Sequence, residues 1–110
     1  MQIHYDMNKA QLLVQLDGEI DHHSSSQIRA EIDTAVYAHM PQTLILDFRN
    51  VTFMDSSGIG LIMGRYKILQ PLGSEIILRQ PSPHIARVLR LAAMDRLAEI
   101  QINTPEEVAS

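Results

Sequence analysis

The sequence predicts a single α/β domain, residues 1–110, with a mixed, mostly parallel sheet of about five strands and about four helices packed on it. Three observations predict this class. Short runs of aliphatic and β-branched residues alternate with segments whose apolar residues recur every three or four positions. The run at 43–48 is almost entirely apolar, which is typical of a central strand covered on both faces. The length also fits one folding unit.

The first predicted unit is a hairpin. Residues 3–5 and 12–16 have the composition of two short strands, with Asn8–Lys9 as the turn between them. Asp17–Gly18 follows the second strand and is itself a turn signal. Only this hairpin is clearly antiparallel, and we expect the remaining strands to be joined through helices.

A helix is predicted to follow the hairpin and to lead into the central strand. Ser24 and Gln27 have the spacing of a capping box, in which each side chain satisfies a free backbone N–H group. The helix must stop before Pro41, because proline cannot continue it. Its apolar face is predicted to comprise Ile28, Ile32, Ala35 and Val36.

The second helix begins in the most informative segment of the chain. Asp55, Ser56 and Ser57 have side chains that can cap a helix, and Pro71 and Gly73 mark its end. Its spacing predicts an apolar stripe that is mostly core. The stripe comprises Ile59, Ile62, Met63, Tyr66 and Leu69.

Two further strands and a third helix complete the pattern. The strands are predicted at 75–79 and 99–102. Ser82–Pro83 combines a cap residue with proline at the first helical position, and 104–107 repeats that signature for a terminal helical turn. The buried face of the third helix is predicted to comprise Ile85, Val88, Leu89 and Ala92.

Composition excludes several classes of function. Without cysteine the chain has no disulfide, thiolate metal site or cysteine nucleophile. A net charge of −4 and an aromatic content of 5% argue against nucleic-acid binding. No apolar run is long enough to cross a membrane, and the first residues lack the pattern of a signal peptide. We therefore expect a soluble intracellular protein with no nucleic-acid or membrane partner.

The start of the second helix is the segment best suited to chemistry. Free backbone N–H groups and the helix dipole favour negative charge there, and Ser56 and Ser57 place two hydroxyls at that point. Backbone N–H groups at this position can donate hydrogen bonds to a phosphate. The simpler interpretation is that Asp55, Ser56 or Ser57 only caps the helix.

Catalytic and ligand-binding alternatives are weaker. Gly58, Gly60 and Gly64 lack the spacing of a dinucleotide loop or a P-loop, and close packing of the helix on its sheet explains Gly60 and Gly64 more simply. Ser56 lacks the glycine found two residues before a hydrolase nucleophile. His22–His23 supplies too few ligands for a metal. We therefore predict no catalytic residues, no metal and no cofactor.

Four segments carry a resemblance to a known family, among them Met-Asp-Ser-Ser-Gly at 54–58 and Gly-Arg-Tyr-Lys at 64–67. On these segments the chain resembles the STAS domain family and, within it, the bacterial anti-sigma factor antagonists, particularly those that release sigma F during sporulation. The resemblance spans nearly the whole chain. The four segments are Gly18–Asp21, Leu46–Phe48, Val51–Gly58 and Gly60–Lys67.

The resemblance implies a regulatory binding module rather than an enzyme. In this family the unphosphorylated antagonist binds an anti-sigma factor that is also a serine kinase, and sigma is freed. The kinase then phosphorylates the serine after the aspartate, here Ser56 with Ser57 as second choice, and a serine phosphatase resets the protein. An antagonist in stress signalling or a lipid-transport accessory is an alternative within the family. A nucleotide-binding or nucleotide-hydrolysing protein is the alternative from another class.

The resemblance and the spacing together predict the partner-binding surface. It comprises the loops at 18–24 and 52–58, expected together at the carboxyl ends of parallel strands, and the exposed face of the second helix. Arg65 and Lys67 are the better candidates for exposed contacts on that helix. No heptad seam is present, so we expect a monomer. The predicted partner-binding residues are Asp21, Asp55, Ser57, Gly58, Ile59, Met63 and Arg65.

Overall fold

A computed structural model describes residues 1–102 of the chain. Its strands are β1 (Gln2–Asp6), β2 (Gln11–Ile20), β3 (Thr43–Met54), β4 (Glu75–Arg79) and β5 (Glu99–Gln101). Its helices are α1 (Ser25–His39), α2 (Ser56–Leu69) and α3 (Pro83–Leu91). Short 3₁₀ turns follow α2 and α3, at 70–72 and 94–96. None of the helices within 1–102 has the length and apolar character needed to cross a bilayer.

The five strands form one sheet in the order β1-β2-β3-β4-β5. β1 runs antiparallel to β2, and the three following pairs are parallel. Each parallel pair is joined through a helix, as a parallel connection requires. The sheet expected to be mostly parallel is therefore better described as mixed.

The number of helices also differs from the expected number. Three α-helices lie within residues 1–102, where the sequence predicted about four for the chain. The fourth was predicted at 104–107, which lies outside the described residues. The helix over 83–91 begins as expected, because Ser82 accepts a hydrogen bond from the Ile85 N–H at 3.3 Å and Pro83 is the first helical residue.

One hydrophobic core lies between the sheet and the helices. Leu44, Leu46 and Phe48 of β3 are almost fully buried and belong to the same cluster as Ile32 of α1 and Ile62 of α2. Ile45, on the opposite face of β3, is only 3% exposed. The prediction that this strand is covered on both faces is confirmed.

Two strands are longer than the sequence predicted. β2 continues to Ile20, and β3 continues to Met54 beside it. The predicted turn at Asp17–Gly18 is wrong, because these residues form an irregularity inside β2. Gly18 has a φ of +70°, which glycine adopts without a steric penalty, so the strand absorbs the shift in register and continues.

The capping-box prediction at Ser24 is also wrong. Its side chain makes no cap hydrogen bond to α1. Instead the Ser24 hydroxyl accepts from the Asp21 N–H at 3.0 Å and donates to the Glu19 carbonyl at 2.8 Å. Ser24 therefore stabilises the loop between β2 and α1. The helix ends as expected before Pro41, with Met40 in the left-handed conformation.

The glycine that packs closely against the sheet is Gly58, not Gly60 or Gly64. A Cβ atom at Gly58 would collide with the side chain of Met54, which is buried in the core. A Cβ atom at Gly60 or Gly64 would meet nothing within 4 Å. Close packing against Met54 therefore explains the glycine at position 58. Among residues 1–102, no contact explains glycine at position 60 or 64.

We predict opposite effects on stability for alanine at Gly58 and at Gly60. Gly58→Ala forces Met54 to move within a packed core and should lower the free energy of unfolding by about 1–3 kcal/mol. Gly60→Ala is the matched control, which should raise it by about 0.5–1 kcal/mol, because alanine has the higher helix propensity and no neighbour obstructs it. Urea unfolding of the two variants measures both values. Equal stabilities would contradict the packing role of Gly58.

Candidate functional site

The two loops predicted to form the site lie side by side. Ile20 and Met54, the last residues of β2 and β3, are register partners in a parallel pair. The Asp55 N–H then donates to the Ile20 carbonyl at 3.1 Å, which extends the pairing by one residue. Because parallel strands end at the same edge of a sheet, the Asp21 loop and the start of α2 are held together there.

Asp55 is the residue that caps α2. Its carboxylate accepts a hydrogen bond from the Ser57 N–H at 2.8 Å, and its carbonyl accepts from the Gly58 N–H at 3.0 Å. The cap leaves Ser56 as the first helical residue. Ser56 is exposed, and among residues 1–102 its hydroxyl has no hydrogen-bond partner.

Ser57 lies in a different environment from Ser56. Its backbone N–H is engaged by the cap, and its side chain is half-buried. It lines a cleft of about 240 Å³ between α1 and α2, together with Ser25, Arg29, Gly60 and Leu61. The two adjacent serines therefore differ in access: Ser56 is on the surface, and Ser57 faces α1.

The exposed face of α2 begins at Ser56. Gly60, Met63 and Lys67 follow it at intervals of four, three and four residues, which places all four on one side of the helix. Met63 is 41% exposed, so it belongs to the part of the stripe that is not core, and it remains a predicted partner contact. Ile59 and Tyr66 are half-buried and pack against the core.

Arg65 was predicted as an exposed contact, and this is wrong. The side chain is buried, and its guanidinium faces Asp33 of α1, with Nε 2.7 Å from Oδ1 and Nη2 3.3 Å from Oδ2. Nη1 also donates to the Leu61 carbonyl at 3.3 Å. Arg65 lies four residues from both Leu61 and Leu69, so it occupies the buried face of α2. Lys67 is the exposed cation on this helix.

Phe53 is a surface residue that the sequence analysis did not single out. Its side chain is 47% exposed, and it is the register partner of Glu19 near the end of β3. It lies two residues before the Asp55 cap. Strict alternation would have placed Phe53 on the same face as buried Val51, so the strand pattern gave no signal for it. Val51 and the next buried residue, Met54, are three residues apart, across the register shift between Gly18 and Glu19.

Asp21 organises the loop that faces the start of α2. Its Oδ1 atom accepts from the N–H groups of His23 and Ser24, both at 2.9 Å. The hydrogen bond from the Ser24 backbone is the main reason that the pKa of Asp21 is lowered. His22 and His23 approach edge to face, with ring centroids 6.0 Å apart. Within 1–102, no group of three or more His, Asp or Glu side chains could hold a metal.

Comparison with known proteins identifies the family. The model of the STAS domain matches residues 2–108, nearly the whole chain. The chain belongs to the STAS domain family.

Curated relatives of this STAS domain have a consistent description. It is 34% identical over 103 residues to the anti-sigma F factor antagonist of Paenibacillus polymyxa, covering 94% of this chain and 88% of that protein. It is 37% identical over 83 residues to the anti-sigma F factor antagonist of Lysinibacillus sphaericus, covering 76% and 71%. Identity to the anti-sigma-B factor antagonist of Bacillus subtilis is 26% over 102 residues, covering 91% and 92%.

Two solved structures also resemble this STAS domain. The anti-sigma factor antagonist SpoIIAA in its unphosphorylated form matches with a TM-score of 0.79 and 34% identity, covering 98% of this chain and 91% of that one. The Bacillus cell fate determinant SpoIIAA in the phosphorylated form matches with a TM-score of 0.71 and 34% identity, covering 98% and 95%.

We predict that the Asp33–Arg65 ion pair stabilises the STAS domain by joining α1 to α2. Asp33→Leu leaves the buried Arg65 charge without its partner and should lower the free energy of unfolding by about 3 kcal/mol. Adding Arg65→Met should recover most of that loss, because no unpaired charge then remains. Urea unfolding measures both values, and Glu31→Leu, an exposed acid on the same helix, is the matched control. A single variant as stable as this control would contradict the role of the pair.

We also predict that the Asp21 carboxyl of this STAS domain titrates below its ordinary range. Since the folded state lowers its pKa, its contribution to stability is present above the unfolded pKa and is lost as pH falls through the folded pKa. Carboxyl NMR measures the midpoint directly, and the amides of His23 and Ser24 should shift with it. A midpoint at or above that of an unstructured aspartate would contradict the hydrogen bonds described for this loop.

Proposed function

We propose that this chain is an anti-sigma factor antagonist whose unphosphorylated form binds an anti-sigma factor serine kinase and thereby frees a sigma factor. Phosphorylation of Ser56 ends that binding, and a serine phosphatase restores it. On this proposal the chain is a regulatory binding protein of the cytoplasm. It acts as a monomer, binds neither nucleic acid nor membrane, and is not an enzyme.

The observation that carries this proposal is the state of Ser56. Its hydroxyl is exposed and has no hydrogen-bond partner within the described chain, because Asp55 already caps the helix. A kinase can therefore reach Ser56 without breaking the helix start. Ser57 is half-buried beside α1, which favours Ser56 as the acceptor.

The position of Ser56 also explains how a phosphate would act. Phosphorylation adds a charge of about −1.5 to −2 at a point where the helix dipole favours negative charge by roughly 0.3–1 kcal/mol. The fold should therefore tolerate the phosphate. A carboxylate on the partner about 8 Å away, at an effective dielectric of about 20, would be repelled by roughly 2 kcal/mol per pair of unit charges. That energy corresponds to a loss of about thirtyfold in affinity.

The proposed contact surface is the edge where β2 and β3 end, continued along α2. Met63 and Lys67 extend it from Ser56 along the exposed face of the helix, and Phe53 adds an exposed aromatic side chain. Gly60 lies within this face, and no neighbour among residues 1–102 requires a glycine there, so a closely approaching partner would explain it. The surface is flanked by Asp21, Asp55 and Ile59, and Gly58 lies buried beneath it.

Relatives support sigma F as the factor that is released. The two relatives described as anti-sigma F factor antagonists are 34% and 37% identical, and those described as anti-sigma-B factor antagonists are 26–28% identical. We therefore propose a sporulation antagonist rather than one that acts in stress signalling.

The test is phosphorylation by an anti-sigma factor serine kinase from the same genome. The chain is incubated with this kinase and ATP and then weighed and mapped by mass spectrometry. We expect one phosphate on Ser56 in the wild type and in Ser57→Ala, and none in Ser56→Ala. Ser56→Ala should still bind the kinase. Ser56→Asp should bind it more weakly and remain within about 1 kcal/mol of wild-type stability, because aspartate is favourable at a helix start.

Two outcomes would overturn the proposal. One is phosphate on Ser56→Ala at the wild-type level, which would place the acceptor elsewhere. The other is an unmodified chain that hydrolyses nucleotide by itself, which would favour the enzyme alternative. Gly60 and Gly64 bear on that alternative, because both lie inside α2 rather than in a glycine-rich loop before it.

A further inference from the structure

Arg29 of α1 faces the start of α2 across a cleft. It lines that cleft of about 240 Å³ together with Ser57 and Gly60 of α2. Ser57 is adjacent to Ser56, and Gly60 lies one helical turn after it. The side chain of Arg29 is exposed and has three methylene groups, so its guanidinium can extend from the cleft toward the start of α2.

Arg29 has no acidic partner within the described residues. Among residues 1–102 it makes no ion pair and no side-chain hydrogen bond. Asp33 lies four residues further along α1, a spacing at which an aspartate often pairs with an arginine. Its carboxylate is instead committed to Arg65 of α2.

The consequence is a positive charge on Arg29 that Asp33 does not neutralise. Asp33 pairs with Arg65 at the junction of α1 and α2, and Arg29 lies close enough to act on the charge of Arg65. Burial lowers the pKa of Arg65, Asp33 opposes this effect, and the nearby charge of Arg29 lowers the pKa of Arg65 further. Arg29 and Arg65 therefore repel each other. An anion placed on the cleft side of Arg29 would relieve that repulsion.

We propose that Arg29 binds the phosphate of phosphorylated Ser56 and so forms a second, phosphate-dependent link between α1 and α2. The inference rests on the proposed phosphorylation of Ser56. Arginine and phosphate form charge-assisted hydrogen bonds, which are stronger than bonds between neutral groups. The link belongs to the free phosphorylated chain. Arg29 is thus a positioning residue of the switch.

The test installs phosphoserine at position 56 by genetic encoding, so no kinase is needed. The second ionisation of phosphoserine, near pH 6, is followed by ³¹P NMR. Arg29→Gln should raise the titration midpoint by about 0.5 unit, the size expected for an exposed charge pair. Asp33, Asp55 and Arg65 stay in place in both proteins, so the difference reports on Arg29. Arg90→Gln, an exposed arginine on α3, is the matched control and should leave the midpoint unchanged.

A second measurement separates a charge pair from a merely structural role. Arg29→Gln should lower the thermal midpoint of the phosphorylated chain by more than it lowers that of the unphosphorylated chain. Equal ³¹P midpoints in the wild type and Arg29→Gln, or equal thermal losses in both phosphorylation states, would overturn the inference. Neither result depends on the kinase, so failure here is distinct from failure of the kinase to modify Ser56.

Discussion

The parallel pairing of β2 with β3 is the constraint on which the candidate site depends. Both strands extend beyond their apolar segments, and the irregularity at Gly18 lets β2 stay paired until Ile20 and Met54 lie opposite each other. The hydrogen bond from the Asp55 N–H to the Ile20 carbonyl then fixes the start of α2 beside the Asp21 loop. If either strand had ended earlier, the two acidic loops and Ser56 would not share one edge of the sheet.

Two carboxylates then determine which neighbouring groups are available. Asp55 accepts the cap hydrogen bond of α2, so the adjacent Ser56 hydroxyl is not needed as a cap and makes no hydrogen bond within residues 1–102. Asp33 neutralises the buried Arg65, so Arg29 on the same helix has no acidic partner in the described chain. In each case a carboxylate that stabilises the fold leaves a nearby polar group accessible: Asp55 leaves Ser56, and Asp33 leaves Arg29. In the proposed switch Ser56 is the phosphate acceptor, and Arg29 is the residue proposed to bind that phosphate.

Local signals predicted most of the fold and the place where α2 begins. Three predicted features depend on residues close in sequence, and all three are present: the apolar run at 43–48, a helix cap within 55–57 and the Ser82–Pro83 helix start. Gly18 was misassigned because glycine after aspartate is equally compatible with a turn and with a bulge. Arg65 was misassigned because its partner, Asp33, is 32 residues away, and charge alone predicts exposure.

The arrangement of Ser56 favours a switch that changes charge and leaves the fold in place. A phosphate that needed a new cap or a broken strand pair would have to offset the free energy of rebuilding them, and domains of this size are stable by only about 5–15 kcal/mol. Here the cap is already made by Asp55, and the strand pairing ends one residue before Ser56. Both the unphosphorylated and the phosphorylated SpoIIAA structures match this domain over 98% of its length. On the proposed function, a change in affinity at this edge would arise from charge and contact at the surface of α2, where the exposed hydroxyl, Met63 and Lys67 lie in one row.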